Sequence, residues 1–425
     1  MGKRTRLRQR LLLTVASAIP LLGWGFSGRI WHEGPPLLQG RYFHAAAATS
    51  TGLVFVYGGW IEEAPHYVRT SAVSEKGLLI LDPSMHEWRY GSNPPPHHHR
   101  GVVHFYRSYV EVGRKPIKVP DQESVVSEDS LPNEAPFAGS DGRDRVYWFS
   151  PIGPVYFDAG TLTWGQPDGP VLHNITADWT KRVDRENSMS GWLRHSGATA
   201  TGPDGRLYLT GGRGRGFDDP DQKEQVLDVL EIYDPTTDSW TTGAPMQHPR
   251  QFHSSAFGAD GRLYVFGGCA CKGGGVEISS KPEVQAISAL ELSQQARSVR
   301  EVEVYDPATN HWEERAPMPT PRQLLSATAG LDGLIYVIGG ERAYGHVAED
   351  MVETYNPATD TWADGPSLRR PLEGHASTRT PDGRIWVTGG VSPGPGLFEP
   401  VRLLRGDHEG AQESVEILET APVAK

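Results

Sequence analysis

Apolar and polar residues alternate along this chain in short runs, each bounded by glycine, proline or aspartate. Leu263, Val265 and Phe266 in RLYVFGG belong to one such run, and RLYLTGG, LIYVIGG and RIWVTGG repeat its pattern. Short period-two runs between turn formers predict β-strands, and the chain carries little helical periodicity. The expected class is all-β, with many short strands.

The runs recur as a unit. RLYVFGG is followed, after a loop, by VEVYDPATNHWEERAPMPTPR; RLYLTGG is followed by LEIYDPTTDSWTTGAPMQHPR, and LIYVIGG by VETYNPATDTWADGPSLRRP. Double glycines fall at Gly58-Gly59, Gly211-Gly212, Gly267-Gly268, Gly339-Gly340 and Gly389-Gly390, and a degenerate copy, RVYWFSP, surrounds Tyr147. Tyr233 and Trp240, Tyr305 and Trp312, and Tyr355 and Trp362 are each seven residues apart, as are Leu81 and Trp88, and Phe157 and Trp164. An Asp-Pro or Asn-Pro turn lies within that interval. Its proline presets φ, and its Asp or Asn side chain can hydrogen-bond the turn backbone. Each unit therefore reads as four strands. The glycine pair suits a bend or a close backbone approach that a Cβ would block. A lone four-stranded sheet cannot bury both faces, so the units are expected to stack radially.

These strings resemble kelch repeats, the family whose propellers also form the core of galactose-oxidase-like proteins. The resemblance runs from about Arg29 to Glu419 and implies a six-bladed kelch β-propeller with four-stranded blades. Closure of the ring follows from spacing. The sixth unit has SVEILET where its siblings have VEVYDPA, with no tryptophan after it. Trp31, however, lies ten residues before Arg41, as Trp240 does before Arg250 and Trp312 before Arg322. The segment Arg29 to His32 is thus expected as the outer strand of the sixth blade, pairing with Ser414 to Leu418. In the second blade, Gly101 to Tyr109 and Asn133 to Ser140 are both open as the innermost strand.

Composition changes the picture mainly at the N-terminus. Glycine (49), proline (34) and tryptophan (12) are abundant, as a turn-rich β-protein requires. Lys3, Arg4, Arg6, Arg8 and Arg10 precede the uncharged stretch Leu11 to Phe26, an order that reads as a secretory signal. The expected domains are a signal segment, residues 1–27, and a single propeller, residues 28–425, placed in a secreted or periplasmic setting; an uncleaved anchor is the alternative. Removing the signal takes away five positive charges and no negative ones, moving the formal charge from −11 to −16. That balance disfavours nucleic acid as a partner and leaves membrane attachment only to an uncleaved N-terminus. Two cysteines, Cys269 and Cys271, read as loop thiols. A bond between residues so close in sequence would be strained, and a metal site would need further ligands.

Strands alternate in direction within a blade, so connections between the second and third strands share a face with connections between blades. The long segments are all of these two kinds, while PDG at 203–205, ADG at 259–261 and PDG at 381–383 make minimal turns on the other face. Long loops on a rigid scaffold commonly carry function. Arg41, Arg194, Arg250 and Arg322 occupy equivalent positions where the chain enters the innermost strand on that face; His44, His253 and His375 follow, and Glu373 interrupts the arginine pattern. Converging arginines would bind a carboxylate or phosphate bidentately, and the opposing reading packs each between blades. The histidines read either as satisfied strand residues or as ligands. His97, His98, His99 and His104 form a loop cluster without carboxylates at a firm spacing, and Asn174-Ile175-Thr176 matches a glycosylation sequon.

No cofactor or metal is called for. No Ser-His-Asp signature, phosphate loop or zinc-protease motif is present. The kelch resemblance implies an exported binding module that holds a protein or glycan at the loop-rich face. Its alternative is a sugar-ring epimerase similar to sialic-acid mutarotases, which needs a general acid and base at the channel mouth.

Overall fold

The computed structural model describes residues 29–63, 68–71, 77–92, 109–112, 115–118, 137–142, 144–150, 153–165, 196–214, 225–270, 298–342, 348–392 and 411–420. The expected signal segment, residues 1–27, together with Arg194, the histidine loop, the sequon and Cys271, lies outside them.

Six antiparallel sheets of four strands are present. Blade 1 holds Ala45–Ala48, Val54–Tyr57, Leu78–Asp82 and Glu87–Tyr90; blade 2 holds Phe137–Ser140, Arg145–Ser150, Gly153–Asp158 and Thr163–Gly165. Blade 3 holds Ala198–Thr201, Leu207–Thr210, Leu230–Asp234 and Ser239–Thr242; blade 4 holds Ser254–Phe257, Leu263–Phe266, Val302–Asp306 and His311–Arg315. Blade 5 holds Ser326–Ala329, Ile335–Ile338, Val352–Asn356 and Thr361–Asp364. Blade 6 combines Ala376–Arg379, Arg384–Thr388 and Val415–Glu419 with His32–Glu33 from the start of the chain. The innermost strand of each blade adjoins those on either side, blade 6 against blade 1 included, so the sheets form a closed ring. In blade 2 the innermost strand is Phe137–Ser140, within the Asn133–Ser140 alternative, whereas Tyr109–Val112 pairs with Lys115–Lys118 in a separate hairpin.

The repeated residues make repeated contacts. Tyr233 faces Trp240, Tyr305 faces Trp312 and Tyr355 faces Trp362 across the third and fourth strands, with ring centroids 4.9, 5.2 and 5.1 Å apart. Between them the Asp or Asn of the turn accepts from the backbone two residues on, as in Ala308 N to Asp306 Oδ1 at 2.9 Å and Ala358 N to Asn356 Oδ1 at 3.0 Å. The outer tryptophans then tie blades together. Trp312 donates to Ala244 O, Trp362 to Ala316 O and Trp88 to Pro35 O, each at 2.7–2.8 Å.

Trp31 follows the same rule, donating to Pro366 O at 2.7 Å from a nearly buried position. His32 and Glu33 pair with Ile417 and Glu416, which places the N-terminal segment in blade 6 as expected. The paired strand, His32–Glu33, overlaps the expected Arg29–His32 only at His32, and the Arg29 side chain bonds Asp332 and Tyr336 of blade 5. Blade 6 is thus latched both along its sheet and to its neighbour.

The double glycines sit at the seam between blades. Gly268 N donates to Arg322 O, Gly340 N to Leu372 O and Gly390 N to Arg41 O, each at 2.8–2.9 Å. A Cβ on Gly267 would lie 2.4 Å from Arg322 O, and one on Gly268 2.5 Å from Gln251 O. The first glycine clears the next blade and the second, at φ 90°, clears its own. Apolar side chains fill the space between sheets. Phe266, Val304, Leu325, Ile335 and Tyr355 form one such layer between blades 4 and 5.

Candidate functional site

The two faces of the ring differ as the spacing predicts. Each first turn of the repeat is tight, closed by bonds such as Gly202 N to Arg206 O and Gly258 N to Arg262 O, at 2.8 and 2.9 Å. On the opposite face, after the double glycines, Trp60–Glu63 pairs with Val68–Ser71 and Arg213–Gly214 with Gln225–Val226, forming hairpins between second and third strands. Isolated bridges Cys269 with Ser298 and Glu341 with Ala348 mark the roots of further long connections.

The arginines expected to ring the mouth are fully buried. Arg250 bonds Glu303 Oε2 at 2.8 Å and the carbonyls of Gly267 and Glu301 at 3.2 and 3.0 Å. Arg322 bonds Glu353 Oε2 at 2.9 Å and the carbonyls of Val337 and Met351, both at 3.3 Å. Arg41 donates to Gly77 O at 2.9 Å and Gly58 O at 3.3 Å. None of the three guanidinium groups reaches channel solvent, each having 0% exposure. The anion-binding ring is therefore corrected: these arginines fasten strand-end carbonyls inside a blade. Leu79 of blade 1 stands where blades 4 and 5 have Glu303 and Glu353, and burial without that carboxylate lowers Arg41 to about 10. Blade 6 shows the reverse loss. Leu372 replaces the arginine, and burial raises Glu416 above the usual carboxylate range, opposed by a bond from Arg369 N.

The histidines also face inward. His44 meets Thr388 Oγ1 of blade 6, His253 meets Thr210 Oγ1 of blade 3 and His375 meets Ser326 Oγ of blade 5, each at 2.9 Å through Nε2. All three are at least nine-tenths buried, so they staple adjacent blades rather than face a ligand, correcting the ligand reading. Desolvation is the main cause holding His44 well below its ordinary value and His375 down at about 4. Among the described members of the expected set, Glu373 alone stays half-buried, its backbone bridged to Val391.

The residue immediately before His44, His253 and His375, and its equivalent in blades 3 and 5, where Gly197 and Leu325 stand in place of the histidine, was not anticipated. Phe43, Ser196, Phe252, Leu324 and Gly374 are equivalent and all lie at φ between 53° and 60°. Their backbones form a belt from blade to blade: Phe252 N to Ser196 O, Leu324 N to Phe252 O, Gly374 N to Leu324 O and Phe43 N to Gly374 O, at 2.7–3.0 Å. Phe43 and Phe252 come from opposite blades, 1 and 4, yet stack with centroids 6.5 Å apart, meeting across the channel. Bulky residues are strained at positive φ, and glycine satisfies the same belt at 374. The legible signal was the recurring third letter in RYFH and RQFH, which the arginine pattern masked.

Cys269 is buried and disulfide-bonded, which overturns the loop-thiol expectation. The sequence holds one other cysteine, Cys271, which lies outside the described residues.

Six four-stranded blades around an axis, with loops gathered on one face, define a β-propeller. The Kelch motif matches residues 194–247, 294–319 and 325–369, which take in blades 3 and 5 and the two outer strands of blade 4. The chain is a kelch-repeat β-propeller. Kelch repeat and BTB domain-containing protein 12 of Homo sapiens is 33% identical over 140 residues, covering 32% of this chain and 20% of that protein. Kelch-like ECH-associated protein 1A of Danio rerio is 31% identical over 143 residues, 33% of this chain and 18% of the relative. N-acetylneuraminate epimerase of Brucella suis is 27% identical over 182 residues, 37% of this chain and 46% of the relative. The matched part thus spans about a fifth of the length of the kelch relatives and nearly half of the epimerase.

Proposed function

We propose that this propeller is an exported, non-catalytic kelch protein that holds a protein or glycan partner at its loop-rich face. The observation that carries the reading is the one-sided placement of the long connections: hairpins and bridges follow the double glycines on one face, and tight turns close the other. A rigid ring that varies only the loops of one face presents an adaptable surface without disturbing its core. The strained Phe43, Phe252 and Leu324 at the centre of that face support it, because strain at a side chain that glycine could replace points to use of the side chain. A relative described as ECH-associated supports a protein partner. Export is supported by the basic-then-apolar N-terminus and by the disulfide at Cys269, since such bonds persist in oxidising compartments.

Replacing residues 272–297, which keeps both cysteines, by a short glycine-serine linker tests the reading. The partner that copurifies with wild type should be lost from the variant at unchanged melting temperature. An identical partner set from both proteins would end it.

The likeness to N-acetylneuraminate epimerase, which covers nearly half of that protein, favours a second reading as a sugar epimerase. Glu373 is the half-buried carboxylate at the mouth suited to proton transfer. Proton NMR of N-acetylneuraminate anomer exchange separates the two: acceleration by wild type, abolished in Glu373→Gln, would replace the binding-module reading.

A further inference from the structure

Arg379 ends the innermost strand of blade 6, at the turn-side end of the central channel, remote from the loop-rich mouth. Its side chain is half-buried, yet among the described residues it enters no hydrogen bond, ion pair or ring contact, unlike Arg41, Arg250 and Arg322. Buried cations are ordinarily paired, because an unpaired one forfeits hydration without return. The other innermost strands end in Ala48, Ser140, Thr201, Phe257 and Ala329, so no acid faces Arg379 from the same level of the ring.

The aspartates of the neighbouring tight turns are engaged elsewhere. Asp332 accepts from Arg29 and Tyr336, and Asp382 from Arg384 Nε at 2.7 Å and Thr380 Oγ1 at 2.6 Å. Asp204 accepts from Arg206 and Tyr208, and Asp260 from Tyr264. Ser377 shares a strand face with Arg379, two residues away, and its hydroxyl meets Thr328 Oγ1 of blade 5 at 2.6 Å. A guanidinium fork two residues along the strand from a hydroxyl pair, at a level of the ring where the other innermost strands end in uncharged residues, is a donor set without a matching acceptor.

We propose that Arg379 forms the centre of a small-anion site at the turn-side end of the channel, taking an oxyanion or carboxylate, with the Ser377 and Thr328 hydroxyls beside it. The bidentate geometry of arginine suits a planar carboxylate or a phosphate oxygen pair. Burial lowers the guanidinium below its ordinary value, and an arginine side chain keeps its charge in proteins. The site is independent of the loop-face reading and lies at the other end of the channel.

Isothermal titration calorimetry on the full chain in a dilute zwitterionic buffer tests this, with sodium phosphate, sodium acetate and sodium chloride as separate arms. Wild type should bind at least one anion saturably at one site. A preference for acetate identifies a carboxylate site and one for phosphate an oxyanion site, whereas a preference for chloride would overturn the proposal. Arg379→Gln should weaken the preferred anion more than tenfold, and Arg379→Lys, which keeps charge but loses the fork, by about tenfold. Absence of binding to all three anions, or the same isotherm in Arg379→Gln, would overturn the proposal. If Arg379→Gln does not fold, unchanged affinity in Arg379→Lys overturns it instead.

Discussion

Replacing Arg250 by leucine should cost about 3–5 kcal/mol of folding stability, the scale of breaking a buried ion pair from one side. Glu303 would remain at 0% side-chain exposure with its Oε1 still held by Gln247 N and His248 N at 2.6 and 3.1 Å, but without the cation that balances it. The carbonyls of Gly267 and Glu301 would lose their donor as well. Most of the loss is the desolvated carboxylate rather than the missing contact. The double variant Arg250→Leu with Glu303→Leu should therefore recover much of the stability, since an apolar pair of similar volume is often neutral at such a site. Chemical denaturation of wild type, the single variant and the double variant reads this directly. A single variant within about 0.5 kcal/mol of wild type, the range of an ordinary surface change, would mean that Arg250 is not the internal strut described here.

Acidification should destabilise the ring through its buried histidines. The folded state holds His375 at about 4 and His44 well below its ordinary value, while the unfolded chain protonates both near 6.5. Below pH 6.5 the unfolded state therefore binds more protons. Stability is fully present above that pH and falls as pH drops toward 4, by about 1.4 kcal/mol per pH unit for each histidine. His375 alone accounts for roughly 3 kcal/mol across its window. Glu416 and Glu353 act in the opposite sense. Burial raises both above the unfolded value, so their contribution grows as pH falls through the folded pKa and partly offsets the histidines. The discriminating variant is His375→Gln, which should flatten the stability-against-pH slope between pH 6.5 and 4 by about one proton. An unchanged slope would place His375 in solvent rather than against Ser326.

Much of this architecture was legible in the sequence because a radial repeat forces equivalent residues into equivalent surroundings. The Tyr-to-Trp interval of seven became a cross-strand pair in blades 3, 4 and 5, and the spacing of Trp31 from Arg41 located the closing strand. The same equivalence misled the reading of the site. Positions that recur around an axis need not point at it: Arg41, Arg250 and Arg322 recur because each blade has strand-end carbonyls to fasten. Spacing alone does not say which side of a strand a residue takes, and the buried glutamates beside Arg250 and Arg322, Glu303 and Glu353, were the overlooked clue. Arg379 was missed for the complementary reason. It does not recur, and only alignment of Ala48, Ser140, Thr201, Phe257 and Ala329 reveals one charged residue among small and apolar ones.

That the loop-rich face is the binding face can be measured by placing one photo-crosslinking amino acid on each side of the ring. Arg342, beside the double glycine of blade 5, has a side chain 54% exposed on the loop-rich face, and Met85, in the outer turn of blade 1, is 68% exposed on the other. Irradiation of the protein in its native compartment should give a discrete crosslinked partner from position 342 and none from position 85. Crosslinks from position 85 alone would contradict the assignment and move the partner to the turn side of the propeller.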